Sequence, residues 1–412
     1  MENDQHGNDK TLGGCLMLEF SKEIKNWKNS FRGQCSLTDL EELEAHLLEL
    51  VEDLRETGLS DQEAFKQAVA RIGDPKDIGR EFAKARSVGD WMLDRFKALD
   101  LPLILALVLI CGMGLGAIHS AGGRINTGLW IKQAVWTGIG FGLMFLVAQV
   151  NPARLKRWAP FIYGASLFFL LLLPFAGFQA LGTRKWLSLG AVNILPSVFM
   201  LVTIPMMTSS LLAKHEWAST RKGFATILAL ILAPTVLVLF QPDLGMALLC
   251  LCAGWITMYF SDCRARLVKF TCFALPVLFV AGWLMRKPYQ IYQLQELAPI
   301  AQGNHTDFIF TSIAQQFGTS GVMLLLACFG FLFYRAITIG NRSMDSFSRS
   351  LGLGFAGVAL LMPALKIGTV YGWMPPLGLA LPLVSYGGSS TILFLVGFGI
   401  LSSIQRQQQL CQ

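Results

Sequence analysis

Charge is what this sequence has least of. Asp, Glu, Lys and Arg make up 15% of the 412 residues against 53% hydrophobic side chains, and the mean hydropathy is +0.50. A chain this apolar has too little polar surface for an ordinary soluble protein. The scarcity is uneven. Residues 1–99 mix acids and bases and hold no apolar run that could cross a bilayer; from Leu101 onward such runs dominate. Met1 to Lys10 are polar, so no cleavable signal peptide is expected and the N-terminus is expected to stay in the cytoplasm. Cysteine is sparse and scattered. None of the nine falls in a loop expected outside, which argues against a disulfide framework. Cys250 and Cys252 stand two apart on an apolar helix, off a common face, and no His, Cys and carboxylate cluster has metal-ligand spacing, so no metal site is expected. Nucleic-acid motifs are missing too. The net charge of +7 comes largely from basic residues flanking apolar runs, not from a clustered patch, and no nucleic-acid partner is expected.

What is there divides the chain in two: a cytoplasmic helical domain with a juxtamembrane linker over 1–99, and a membrane domain over 100–412. Three short helices are expected within 38–86. Thr38 with Glu41 reads as a capping box, followed by Leu40, Leu43, Leu47, Leu48 and Val51 at helical spacing, with a stop at Gly58. Ser60 with Glu63 caps a second helix carrying Phe65, Ala68, Val69 and Ile72, stopped by Gly73. Asp74-Pro75 opens a third, with Ile78, Phe82 and Ala85 on its apolar face. Leu40 to Arg86, above all Arg71-Ile72-Gly73-Asp74-Pro75, resembles the short helical prefix domain found ahead of some bacterial permeases. That resemblance implies a folding cap or a module binding a cytoplasmic protein partner.

Beyond residue 100, about ten apolar segments emerge with a ~19-residue window. Their cores are 101–119, 130–149, 159–177, 193–212, 223–240, 243–260, 267–285, 308–334, 350–370 and 385–404. The fold class is therefore all-α, a polytopic membrane protein. With the N-terminus inside, thirteen basic residues fall on inner loops: Arg154, Lys156, Arg157, Lys214, Arg221, Lys222, Arg264, Arg266, Lys269, Arg335, Arg342, Arg349 and Arg406. Only six fall outside: Arg124, Lys132, Arg184, Lys185, Arg286 and Lys287. The excess places both termini in the cytoplasm. Four polar or glycine-rich segments then face outward: Gly182 to Gly190, Gln241 to Gly245, Arg286 to Phe308, and Tyr371 to Ser390. One of them ends in a polar island, His305-Thr306-Asp307-Phe308, just before an apolar run at Ile309. An Asp at the lip of a membrane helix is costly to dehydrate and marks a functional candidate.

These outer segments carry a resemblance. Gly182–Gly190 with Pro196-Ser197, then Gln241-Pro242-Asp243-Leu244-Gly245, His305-Thr306-Asp307-Phe308-Ile309-Phe310, and Leu381-Pro382-Leu383-Val384-Ser385-Tyr386-Gly387-Gly388-Ser389 occur in the order of the shape, elongation, division and sporulation family. RodA, FtsW and SpoVE belong to it, and Gln241 with the last stretch is closer to RodA. The resemblance covers roughly residues 100–405. It implies polymerisation of the lipid-linked disaccharide lipid II into glycan strands of peptidoglycan, outside the cytoplasmic membrane of a bacterium, with a class B penicillin-binding protein as partner. It also implies that Asp307 is the catalytic residue.

The chemistry suits those residues. A carboxylate at the rim can take the proton of a sugar hydroxyl. The departing pyrophosphate needs cations or backbone N–H groups nearby. Arg184 and Lys185 lie on that side, and Gly387 and Gly388 would let backbone amides approach a phosphate. Trp186, Asp243, His305, Lys366 and Ser385 complete the candidate substrate-binding set. Plainer readings stay open. The basic residues and Trp186 suit headgroup anchoring, Asp243 suits a helix cap, His305 suits loop hydrogen bonding, and the Gly pair suits a helix break. No cofactor is visible; a divalent cation at the pyrophosphate follows from family analogy only.

The sequence departs from the family pattern in several places. The loop from Arg286 to His305 is short and lacks its glycine-rich part. Val198 and Leu201 stand for a Glu and a Lys, Lys185 for an Arg, Gln315 and Gln316 for an acidic pair, and Lys366 for an Asn. Lys366 could pair with Asp307 or Asp243, bind phosphate, or snorkel to the outer rim. Three functions follow: an active glycosyltransferase, a catalytically degenerate paralogue serving as regulator or scaffold of cell-wall synthesis, and a lipid II flippase.

Overall fold

The structure, a computed structural model, describes residues 23–24, 27, 31, 37–74, 78, 100–122, 128–180, 183–190, 192–218, 220–241, 243–261, 309–370 and 377–409. The chain forms two compact units, residues 1–99 with 406–412 and residues 100–405.

In the first unit, α1 (Leu37–Glu56) and α2 (Asp61–Ile72) form an antiparallel pair. Gly58 and Gly73 follow them at φ +88° and +102°, where a glycine costs least. Both expected caps differ in detail. Helix α1 already includes Leu37, so Thr38 sits inside its first turn. Ser60 does occupy the N-cap of α2, but its hydroxyl donates to the Glu63 carboxylate at 2.7 Å and accepts no backbone N–H. The core comprises Leu43, Leu47, Val51, Leu54, Ala64 and Ala68, together with Ile24, Trp27 and Phe31. Those last three lie ahead of the helices read from the sequence. Their spacing, three and then four apart, is a helical stripe that buries against the pair. Most of the expected third helix lies outside the described residues.

The second unit is a helical bundle. Its helices are α3 (Leu101–Gly122), α4 (Leu129–Ala148), α5 (Pro152–Ala176), α6 (Pro196–Leu212), α7 (His215–Ala218), α8 (Arg221–Phe240), α9 (Leu244–Tyr259), α10 (Ile309–Asn341), α11 (Ser346–Val370) and α12 (Gly388–Gln409). Among the described residues seven are long and apolar enough to cross a membrane; α6 and α9 are shorter apolar helices. The protein is a multi-pass helical membrane protein. Nine expected segments fall on these helices, and the tenth, 267–285, lies outside the described residues.

Helices α6, α11 and most of α12 are buried, whereas α4 and α5 turn Ile131, Val135, Phe161, Phe168 and Phe175 outward toward lipid. Between helices small residues permit close approach, because lipid removes the hydrophobic incentive to associate. A Cβ on Gly352 would lie 3.2 Å from Gly340 Cα, so α10 and α11 cross nearly backbone to backbone.

One end of the bundle carries a feature absent from the all-helical expectation. Strands β1 (Gly177–Ala180), β2 (Thr183–Leu189) and β3 (Val192–Ile194) form an antiparallel sheet, ordered β1-β2-β3. Phe178 pairs with Trp186, and Ser188 with Asn193. The segment Gly182 to Gly190, expected as a polar loop, is thus mostly strand. It alternates Lys185 and Leu187 with Trp186 and Ser188, a period-two pattern hidden by its polarity. At the opposite end, buried Asp100 caps α3 by accepting from Leu103 N at 3.3 Å. Its other oxygen accepts from Arg335 Nε of α10 at 2.8 Å and from the same guanidinium's Nη2.

Candidate functional site

The sheet end gathers most of the sequence-selected residues. A turn at Gln241 ends α8, and Asp243 takes the N-cap of α9. Its Oδ1 accepts from Met246 N at 3.2 Å. Its Oδ2 accepts from Lys185 Nζ at 3.1 Å, linking strand β2 to the helix start. Asp243 is 3% exposed. A carboxylate that deep needs both bonds, one to a backbone donor and one to a cation. The helix-cap reading of Asp243 therefore holds, with an ion pair added.

The stretch Leu377 to Gly387 closes over this pair. A Cβ on Gly245 would lie 2.5 Å from Leu377 O, and one on Gly378 would lie 4.0 Å from Lys185 Nζ. The loop is tightly built. Ser385 Oγ accepts from Leu381 N at 2.9 Å, and Ser385 N donates to Leu381 O at 2.9 Å. Leu383, buried, has φ +67°, a costly conformation for a branched side chain. Gly114 of α3 makes room for this turn, since a Cβ there would lie 2.7 Å from Val384 Cα. Ser385 thus clips the loop together from within.

The Gly pair has definite neighbours. Gly387 N donates to Gln133 Oε1 at 3.1 Å, and Gln133 Nε2 donates to Thr391 Oγ1 at 2.9 Å. The amide expected to approach a phosphate is already bonded within the protein. A Cβ on Gly388 would lie 2.8 Å from the Trp136 ring, so its small size serves close packing of α12 on α4. Gln133 was not anticipated. Its signal was a lone amide inside an apolar helix, where a polar group is retained only with a partner.

Of the other candidates, Arg184 and Trp186 flank Lys185 on β2 and Lys366 lies on α11. Arg184 is exposed, with Nη1 donating weakly to Pro174 O at 3.4 Å, so much of its guanidinium remains available. Trp186 is half-buried in β2. Lys366 is 5% exposed on α11, so its ammonium does not snorkel to open solvent. His305 and Asp307 lie outside the described residues. Val198 and Leu201 are buried on α6 at 1% and 0% exposure, their apolar side chains packed into the core. Among the described residues, Ser197 Oγ and Gln241 Oε1 are buried polar atoms without a hydrogen-bond partner. Among the described residues no group of three or more His, Cys, Asp or Glu could hold a metal ion.

The profile of the cell cycle protein family of FtsW, RodA and SpoVE matches residues 96–302 and 295–410. The chain belongs to the FtsW/RodA/SpoVE family. Among curated family members, it is 27% identical over 351 residues to peptidoglycan glycosyltransferase MrdB of Escherichia coli K12, covering 76% of this chain and 95% of that protein. Stage V sporulation protein E of Bacillus subtilis is 26% identical over 357 residues, covering 74% and 97%. Among solved family structures, Thermus thermophilus rod shape determining protein RodA superposes with a TM-score of 0.62 at 29% identity, over 75% of this chain and 97% of RodA. A chain of a peptidoglycan synthase complex, described as coordinating polymerization and crosslinking, superposes with a TM-score of 0.66 at 28% identity, over 75% and 98%. The family matches begin at residue 96, so residues 1–95 lie ahead of the family fold.

Proposed function

We propose that this chain is a peptidoglycan glycosyltransferase that polymerises lipid II at the outer face of a bacterial cytoplasmic membrane, with both termini inside and a class B penicillin-binding protein as partner. The observation that carries the reading is the family match across 96–302 and 295–410, with relatives of that activity covered almost end to end. Asp307 is the general base. It removes the proton from a sugar 4-hydroxyl as that oxygen attacks the anomeric carbon of a second sugar. The bond from that carbon to the pyrophosphate oxygen breaks, and the lipid pyrophosphate leaves with the electron pair. Exposed Arg184 offers a guanidinium to the developing charge, while Lys185 is turned toward Asp243. Half-buried Trp186 flanks Arg184 as a surface for sugar or headgroup.

Glycan strands formed from lipid II by the purified protein, with and without candidate penicillin-binding proteins, test the reading. Asp307→Ala is expected to abolish them, and full activity in that variant would sink the assignment. The degenerate-paralogue reading draws on Val198 and Leu201, whose apolar side chains remove two polar groups from α6. It predicts no strands from the parent chain under any of these conditions.

A further inference from the structure

The end of the bundle opposite the sheet carries a surplus of positive charge. Helix α5 runs into β1 and α6 leaves β3, so the start of α5, the end of α6, α7 and the start of α8 all lie at that end. Arg154, Lys156 and Arg157 stand in the first two turns of α5, Lys214 follows α6, and Arg221 and Lys222 open α8. Helices α5 and α8 rise in the same direction, tied where Tyr163 Oη donates to Leu230 O at 2.6 Å, at nearly the same distance from each helix start. Lys156 is half-buried and the other five cations are exposed. Glu216 is the single acid between Leu101 and Gln241. Among the described residues no ion pair or side-chain hydrogen bond engages any of the six. Helix electrostatics does not account for them either, since first turns favour acids and neither α5 nor α8 has one there.

Below this charge the surface turns apolar along one stripe. Arg154, Trp158, Phe161, Ala165 and Phe168 follow at spacings of four, three, four and three, so they share a face of α5, and all are exposed. Trp158 and Phe161 meet edge to face, with ring centroids 6.4 Å apart. A Cβ on Gly164 would have nothing within 4 Å, which leaves a notch one turn beyond Phe161. Helix α5 has 25 residues. It rises about 37 Å, more than the ~30 Å of a hydrocarbon core, so its first turns reach headgroup level. Helical side chains lean toward the N-terminus, which carries the guanidinium groups of Arg154 and Arg157 further toward the phosphates.

We propose that this rim and the stripe beneath it bind an anionic phospholipid, the cations holding its phosphate and the stripe from Trp158 to Phe168 taking an acyl chain. Charge and order both match: phosphate, interface and hydrocarbon follow one another along a lipid as cation, Trp and Phe do along α5. A soluble phosphate would use only the first of the three. This lipid site is independent of the glycosyltransferase chemistry at the other end.

Native mass spectrometry of the delipidated full-length protein in detergent tests the site, with phosphatidylglycerol, phosphatidylcholine and soluble glycerol phosphate as probes. Phosphatidylglycerol is expected to stay bound, while phosphatidylcholine with the same chains and glycerol phosphate do not. Each basic residue beside an anionic headgroup is worth about fivefold in affinity. Arg154→Gln combined with Arg157→Gln is therefore expected to weaken retention about thirtyfold, and Lys222→Gln on the neighbouring helix about fivefold. Trp158→Ala with Phe161→Ala is expected to weaken it with the charges intact. Lys132→Gln, at an exposed cation of the sheet end, is expected to change nothing. The replaced arginines are exposed, so the double-glutamine variant is expected to keep the parent Tm without added lipid. Equal retention of the two lipids, or of phosphatidylglycerol by the parent and the double-glutamine variant, overturns the site. So does glycerol phosphate that displaces the lipid as effectively as a second lipid does, because the acyl stripe would then contribute nothing.

Discussion

Asp243 holds two bonds at once, and that limits its chemistry. A carboxylate that caps α9 through Met246 N and pairs with Lys185 is anchored through both oxygens, and protonating it would weaken the ion pair. Its work is to fasten the sheet to the start of α9. Asp243→Ala removes the cap and leaves a partly buried ammonium without this carboxylate, an expected loss of roughly 2–4 kcal/mol. Asp243→Asn keeps a cap acceptor and loses only the charge, so it is expected to lose less. Thermal unfolding in detergent reads both, and equal Tm values for the two variants would contradict the split. Lys366 is a second ionisable group buried in this unit, on membrane helix α11, where an ammonium is retained only with partners.

The elements around the site are held by chemistry that differs from end to end. At the sheet end the fastenings are hydrogen bonds between sequence-distant partners: Gly387 to Gln133, Ser389 Oγ to Asn193 O at 3.3 Å, and Ser120 to Gln316. At the other end, Arg335 meets Asp100, and the Ser403 hydroxyl donates to Val150 O. Arg335→Met would leave a buried carboxylate with its cap bond alone. Removing one member of a buried pair costs about 3–5 kcal/mol, so this variant is expected to show a clear drop in Tm. Arg335→Lys, which restores a cation without the guanidinium's two-point contact, is expected to recover part of it. The sheet shows why helical periodicity was not enough to read this region. Residues 177–194 lie between two apolar helices and contain short strands with basic and hydroxyl side chains, so window hydropathy registers only a polar gap.

At the scale of the whole molecule, the membrane unit and the N-terminal unit follow different rules. The membrane unit turns large apolar side chains outward on α4 and α5, as a bilayer allows. The N-terminal unit hides Ile24, Trp27 and Phe31 with α1 and α2, as water requires. The family match starts only at residue 96, so most of the N-terminal unit lies ahead of the matched family fold. The proposed outer-face site depends on orientation. In intact cells, Arg184→Cys is expected to react with a membrane-impermeant thiol reagent and Lys214→Cys to react only after permeabilisation. The reverse pattern would invert the topology and move the sheet end inside.

Most of the helices were legible because a bilayer imposes a long apolar run on every crossing. The family was legible because four polar motifs interrupt those runs in a fixed order. The identity of Asp307 as the candidate base also came from the sequence alone, since that residue lies outside the described structure. What only the tertiary structure decided was which polar groups are already occupied. Lys185 reaches Asp243 across 58 residues and Gln133 reaches Gly387 across 254. No local pattern encodes such pairings, because each residue is chosen for a partner that only folding brings within 3 Å or so. The sequence by itself determined a multi-pass family member with an acid at the lip of a helix. The fold decided that the Gly387 amide meets Gln133 and that the Asp243 carboxylate caps α9 and pairs with Lys185, because those partners are neighbours only in the folded chain.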